Sequence, residues 1–539
     1  MKRIVTLLAL FALCISAQAI PARRGALTLT QPDGTTVTAF LHGDEYYHYY
    51  TNEDGDMLVR DEAGVYQAAP LPSEEELQAR RAKSPRRIKQ EQMGSALNLA
   101  PRGLIILVNF NNLEFQTAKA EIDSMINGEN YTRRYSGYND LGRRVTITSE
   151  GSARKYFCET SFGQYKPVFD VVGPVTLASN YKYYGENSNS GDDKNPEKMI
   201  KEACELVDAE VDFTLYDNNN DGKVDFVYVI YAGYGEADGA GDDYVWPHNY
   251  RLSYNGVNCQ VDGKKVDNYA CSNELDYSNR QHDGIGTFCH EFSHVLGLPD
   301  LYCTNNSSHK TMGAWDILDY GPYNNDGNTP PHYSAYERFF MGWLKPTLLN
   351  SACDVQMPAL GDSNGAAILT ESGTHNLVGN DPNPTTFYML ENRQKDGWDM
   401  YLPGHGLLIT KVTYSSRKWE QNTVNNTGSA MGVDIIEADG SAPAQNEYDY
   451  SNGYLGKAGD AYPAGSTSFT DVTSYQVTDI EEANGYIFFK VNGGGETVYL
   501  AVESTEQQAT RIARKIFRDG QIVIEFNGDY YDLLGRPVR

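Results

Sequence analysis

The residues with the clearest chemistry are His290-Glu291-Phe292-Ser293-His294, two imidazoles four positions apart with a carboxylate between them. Four residues is close to one helical turn, so on a helix both imidazoles share a face and can reach one metal ion. Glu291 would then lie beside the metal, placed to take a proton from a bound water. In a chain of 539 residues such a pattern arises by chance roughly once in a hundred, and the alternative is a helix that merely carries two histidines. The flanks argue against that alternative. Phe288, Phe292, Val295 and Leu296 supply an apolar face. Gly297, three residues after His294, can adopt positive φ and end the helix sharply. The chain then turns back to bring Asp300 six residues after His294. Three protein ligands and a water make a catalytic zinc site, whereas a structural site wants a fourth protein ligand, and none is evident nearby. The expected zinc ligands are therefore His290, His294 and Asp300. A competing reading takes the third ligand from a later helix, at Glu337.

A second metal is suggested by Asp217, Asn219, Asp221 and Asp225, with Gly222 at the sixth position and Lys223 offering a backbone carbonyl. Oxygens at alternate positions match the start of a calcium loop. The usual Glu at position twelve is replaced by Tyr228, and a strand follows in place of a helix. The other reading is an Asx-rich turn before a strand. The expected calcium is structural.

Both sites need elements to hold them. The apolar runs 104–108 and 226–231 read as buried strands, and 284–296 and 334–344 as helices. Together they predict an α+β domain with a mixed sheet and an active-site helix over 99–347. Ahead of it, 20–98 alternates in short strands with turns at Asp33-Gly34 and Asp54-Gly55, then a charged helix opened by a capping box at Ser73. Arg80-Arg81 and Arg86-Arg87 make this stretch an exposed connector. Beyond Pro346 short alternating runs broken by Gly, Asn and Pro, including 386–391 and 406–412, predict a β-rich domain over 348–495. Gly493-Gly494-Gly495 reads as a hinge to a small β module, 496–539.

The net charge of −27 repels phosphate backbones, so nucleic acid is not an expected partner. Lys2-Arg3, the apolar run 4–15 and Ala17-Gln18-Ala19 read as a signal peptide, 1–19. The run is too short to span a membrane, and no later stretch is long enough. Cys14 raises a lipoprotein alternative, but Leu13 is too large for the usual residue before a lipidated Cys. The expected location is outside the cell or on its surface. Seven cysteines remain beyond Cys14, none in a C-x-x-C pair, so a cysteine zinc cluster is not expected and disulfide pairing stays open.

At this point the sequence resembles a known family. His290 to Tyr302, Met312 to Asp319, Pro331 to Glu337 and Gly342-Trp343-Leu344 are similar to the immune inhibitor A family of metalloproteases. So are Ser161 to Gln164, Val172-Gly173-Pro174, Asp242 to His248, Glu391-Asn392-Arg393 and Pro403 to Gly406. The resemblance spans about 100–490 and implies a metzincin-like fold, zinc, and secreted endopeptidase activity on proteins or peptides. It implies that Met312, twelve residues after Asp300, forms the methionine turn under the metal. The tyrosine that better-known metzincins carry two residues after that Met is Ala314 here, which leaves Tyr333 as a candidate oxyanion donor. Residues from Arg514 to Arg536 resemble C-terminal sorting modules of secreted proteins.

The expected reaction is hydrolysis of peptide bonds by a zinc-activated water, with Glu291 as general base. The alternative is a peptidase fold that has lost catalysis and serves binding or adhesion, against which the intact His290, Glu291, His294 and Asp300 argue. Residues 20–98 are expected to be a pro-segment. Some metzincin zymogens hold a pro-segment aspartate against the zinc, in a motif pairing Phe with Gly-Asp. Phe40-Leu41-His42-Gly43-Asp44 makes Asp44, or else His42, the latency candidate, unless Gly43-Asp44 is only a turn.

Overall fold

Branched and aromatic residues drive the central sheet. The strands Arg102–Asn109, Val168–Thr176, Val227–Tyr234 and Asn268–Leu275 lie parallel, and His248–Arg251 adds an antiparallel edge. Alternation along the two central strands feeds two separate cores. Leu104, Ile106, Val227 and Val229 face the helix Pro196–Val207. Ile105, Leu107, Tyr228 and Ile230 face the helix Gly286–Val295 and its neighbours. Burial on both faces is what a parallel sheet requires, and it explains why these strands read as unbroken apolar runs. The computed structural model describes residues 20–81, 100–188, 192–305, 309–440 and 454–500 apart from 46, 62 and 139–142, with four short strands between 514 and 538. The expected signal peptide and Arg86-Arg87 lie outside the described residues.

The chain before this sheet forms a five-stranded antiparallel meander, Ala26–Thr30 to Tyr66–Ala69, followed by the helix Glu74–Arg81. Beyond it stand two more sheets. One contains Ala366–Leu369, Thr386–Arg393 and Gly406–Thr413, the other Cys353–Met357 and Tyr486–Val491. The first of these is buried on both sides. Ile368, Phe387, Met389 and Leu408 join the core that holds the active-site helix, while Leu369, Leu390, Leu407 and Ile409 pack toward the second sheet. The core is thus continuous across position 348. Beyond the Gly493-Gly494-Gly495 turn, Glu496–Tyr499 pairs in parallel with Cys353–Met357 and Leu500 is buried, while the four strands between 514 and 538 form a sheet of their own. The architecture is mixed α+β. All seven cysteines among the described residues are free thiols.

Candidate metal centre

Gly286–Val295 is buried along its whole length. Phe288 and Phe292 anchor it by ring contacts to Phe169, Phe226 and Tyr228. Its first turn approaches another backbone so closely that a Cβ on Gly286 would lie 1.9 Å from the Pro322 carbonyl oxygen. It ends at Gly297, whose φ of 102° is open to glycine and costly for other residues. The chain reverses there and delivers Asp300.

His290 Nε2 and His294 Nε2 stand 3.0 Å apart. Asp300 Oδ1 lies 3.4 Å from the first and 3.2 Å from the second. The Nδ1 of His290 donates to the Ile317 carbonyl at 2.7 Å, and that of His294 to the Leu298 carbonyl at 2.9 Å. Each Nδ1 therefore carries the proton, and the two Nε2 lone pairs face each other and a carboxylate oxygen that has no hydrogen-bond partner. In a site 0% to 3% exposed, that convergence of lone pairs is repulsive without a cation. These three residues are also the group able to hold a metal among the described residues, and the donor set suits zinc.

Glu291 lies between the ligands. Burial pushes its pKa up to about 8, with His290 opposing. Oε1 accepts a hydrogen bond from the backbone N–H of Ile20 at 2.9 Å, while Oε2 is buried and unpaired. Glu337 does not reach the metal group. It caps its own helix, Ala335–Phe340, accepting from Ser334 N at 2.6 Å and Ser334 Oγ at 2.9 Å. Met312 is buried in the same core as the active-site helix. The turn after it runs to Ile317, whose carbonyl orients His290, with Gly313 N donating to Asp319 at 2.9 Å. Tyr333 is placed away from the cleft, its hydroxyl 2.5 Å from Ser293 Oγ and its ring packed on Tyr156 and Trp343. It is not an oxyanion donor here.

Asp44 is not among the metal donors. It closes an ion pair of 2.5 Å with Arg81, at the end of the strand Thr36–Asp44. The next residue, Glu45, is 1% exposed with both carboxylate oxygens unpaired. Burial raises its pKa well above the usual range, and Asp44, Asp300 and Glu291 add to the effect. Neither Asp44 nor Glu45 is among the three residues grouped as able to hold a metal. His42 bonds Thr51 and stacks on Tyr49 within the meander.

The loop from Asp217 to Asp225 is closed by its own chain. Asp217 accepts from Asp221 N, Gly222 N and Lys264 Nζ, the last at 2.6 Å. Asn219 and Asp221 accept from Asp221 N and Lys223 N, and Asp225 accepts from Asn218. Burial opposes ionisation of Asp217, but Lys264 and the two backbone donors hold its pKa below the ordinary value. Lys264 Nζ and the loop's own backbone N–H groups meet these oxygens here.

The residue that sequence reasoning missed is Asn422, fully buried. Its side-chain oxygen accepts from Asp300 N at 2.7 Å, and its side-chain nitrogen donates to Asp300 Oδ2 at 2.5 Å. The carboxamide fixes the third ligand from a segment 122 residues away. Its only local signal is a polar residue between the buried Trp419 and Val424.

Comparison with known proteins agrees with this geometry. Residues 98–343 match the family model described as immune inhibitor A peptidase M6, catalytic domain. Immune inhibitor A of Bacillus thuringiensis subsp. alesti is 26% identical over 267 residues, 44% of this chain and 39% of that protein. Pre-pro-metalloprotease PrtV of Vibrio cholerae serotype O1 (strain M66-2) is 28% identical over 226 residues, 37% of this chain and 24% of that protein. The matched part of the chain spans well under half the length of these relatives. Residues 98–343 are thus similar to the catalytic domain of the immune inhibitor A peptidase M6 family.

Proposed function

We propose that this chain is a secreted zinc-dependent endopeptidase acting on proteins or peptides. The observation that carries the reading is the convergence of His290 Nε2, His294 Nε2 and an unpaired Asp300 oxygen within 3.4 Å, with Glu291 beside them. His290, His294 and Asp300 would hold the zinc, which when bound polarises the scissile carbonyl and acidifies a water. Glu291 takes the proton of that water and passes it to the leaving amine. The amide nitrogen of Ile20 donates to Glu291 Oε1 at 2.9 Å, the kind of contact a leaving amine would make. A buried, dry surrounding favours proton uptake by Glu291, in keeping with its raised pKa.

Secretion rests on the signal-like residues 1–19. Residues 20–98 act as a pro-segment in this reading, because the Ile20 N–H closes on Glu291. Release would follow cleavage near Arg80-Arg81 or Arg86-Arg87. A structural calcium enters the reading only by displacing Lys264 from Asp217. The test is hydrolysis of casein and of a peptide library by the zinc-loaded chain, with a chelator arm and a Glu291→Ala control. Activity that survives both would overturn the proposal.

A further inference from the structure

Residues 20–24 cross the cleft as an extended strap. Trp246 Nε1 donates to the Ile20 carbonyl at 3.1 Å, Tyr323 Oη to the Pro21 carbonyl at 2.8 Å, and Arg23 N to the Ala237 carbonyl at 2.8 Å. Three residues beyond the nitrogen held by Glu291, the Arg23 guanidinium enters an acidic pocket. It lies 2.5 Å from Asp276 and 3.3 Å from Asp326, with Asp238 at 3.9 Å, and sits 5.8 Å from the centre of the Tyr323 ring. Asp276 and Asp238 are buried, their side chains 3% and 8% exposed. Asp283 stands close enough that burial and the charge of Asp276 push its pKa up to about 7.

The carboxylates all belong to the catalytic domain. Asp238 follows the strand Val227–Tyr234, Asp276 follows Asn268–Leu275, and Asp283 precedes the active-site helix. They remain when the strap leaves. Arg133 of the catalytic domain offsets part of the charge of Asp276, Asp283 and the more exposed Asp326, and the acids that face Arg23 lose its charge when the strap leaves. The Ile20 N–H on Glu291 Oε1 stands where the amine of a cleaved bond would meet the general acid. In that placement Ile20 is the first residue after the cut bond and Arg23 the fourth.

We propose that the Asp238, Asp276 and Asp326 pocket is a substrate subsite that selects a basic side chain, arginine above lysine, at the fourth residue after the scissile bond, and that Arg23 fills it in cis until the strap is released. The planar guanidinium suits carboxylates presented from two sides and a flanking tyrosine ring. This rests on the peptidase reading above.

The experiment takes the full chain, secreted, zinc-loaded and left to process, and two quenched peptides differing only in Arg or Ala at that fourth position. A third peptide carries the Arg one position later. The Arg peptide should exceed both others in kcat/KM by about tenfold or more, the scale of one partly buried ion pair. Asp276→Asn should shrink that ratio to about threefold or less, and Asp326→Asn, at a more exposed position, should shrink it part of the way. If Asp276→Asn fails to fold, inhibition by the free peptide Ile-Pro-Ala-Arg-Arg against Ile-Pro-Ala-Ala-Arg gives the same comparison on the unmutated chain. Equal rates on the three peptides, or equal inhibition by the two free peptides, would mean that the pocket only clamps the pro-segment. Hydrolysis of neither peptide, with no effect of zinc, would overturn the peptidase reading and this inference with it.

Discussion

Asn422→Ala tests whether the third ligand is held from outside the catalytic domain. The wild-type carboxamide makes two hydrogen bonds to Asp300, one to its backbone N–H and one to its carboxylate. A hydrogen bond to a charged group is worth roughly 1.5–3 kcal/mol and a neutral one about 1 kcal/mol, and both partners would be left unsatisfied in a dry site. Asn422 and Asp300 are 0% exposed, so water does not simply replace the lost groups. Part of the loss falls on folding and part on the metal. Removing an outer-shell partner typically weakens metal affinity by roughly 10–100-fold, and that range is expected here.

The assay is zinc competition against a chromophoric chelator, run beside a thermal melt so that unfolding is not mistaken for weak binding. Asn422→Asp is the companion variant. It keeps the volume but sets a second carboxylate against Asp300, so it should bind zinc no better than the alanine variant unless it takes up a proton. If Asn422→Ala binds zinc within about twofold of the unmutated chain, while Asp300→Ala has lost it, the carboxamide does not position the ligand and the argument fails.

Four further outcomes follow from the same geometry. Asp300→Ala should lose zinc while Glu337→Ala keeps it; the reverse result, read by metal content, would move the third ligand to the later helix. Glu291→Ala should bind zinc normally and lose on the order of 10²–10⁴ in turnover, and a variant with near-normal rates would remove Glu291 from the proton path. His48 of the meander pairs with Glu236 of the catalytic domain at 2.9 Å, and although burial lowers its pKa, Glu236 outweighs this and lifts it from 6.5 to about 9. The folded value is the higher one, so the contribution, roughly 3 kcal/mol, is complete below pH 6.5 and fades as pH rises through about 9. A pH series of melts should show that fall, and His48→Gln should flatten it; an identical slope in the variant would refute the clamp. Because Lys264 already neutralises Asp217, calcium or a chelator should shift the melting temperature by less than about 1 °C, and a rise of several degrees would restore the calcium loop.

What the sequence made legible was local. The strands expected at 104–108 and 226–231 are the cores of Arg102–Asn109 and Val227–Tyr234, and the helix expected at 284–296 is Gly286–Val295. His290, Glu291, His294, Gly297 and Asp300 sit within one helix and one turn, so their spacing alone brings three donors together. The expected helix at 334–344 stops earlier, at Phe340, where Gly342 takes a φ of 74° and turns the chain. The calcium pattern was equally local, but it does not see Lys264, which meets Asp217 from outside 217–225.

The parts that stayed hidden all depend on contacts between distant segments. Asp44 and Glu45 show why. The strand Thr36–Asp44 pairs in register with Tyr47–Thr51, Asp44 standing opposite Tyr47. Glu45 lies in the turn that follows the strand, so a motif that fixes the place of the turn to within one residue leaves open which carboxylate meets Arg81. Arg81, at the end of a helix 37 residues on, resolves it by claiming Asp44 and leaving Glu45 buried without a partner. Asn422 is the same case at longer range. The sheet that carries it toward Asp300 shares its core with the active-site helix, so the division expected at position 348 separates a ligand from the residue that aims it. Asn422, beyond the boundary expected at 348, reaches Asp300 through two hydrogen bonds, so the third ligand is fixed only when the chain on both sides of that boundary is folded together.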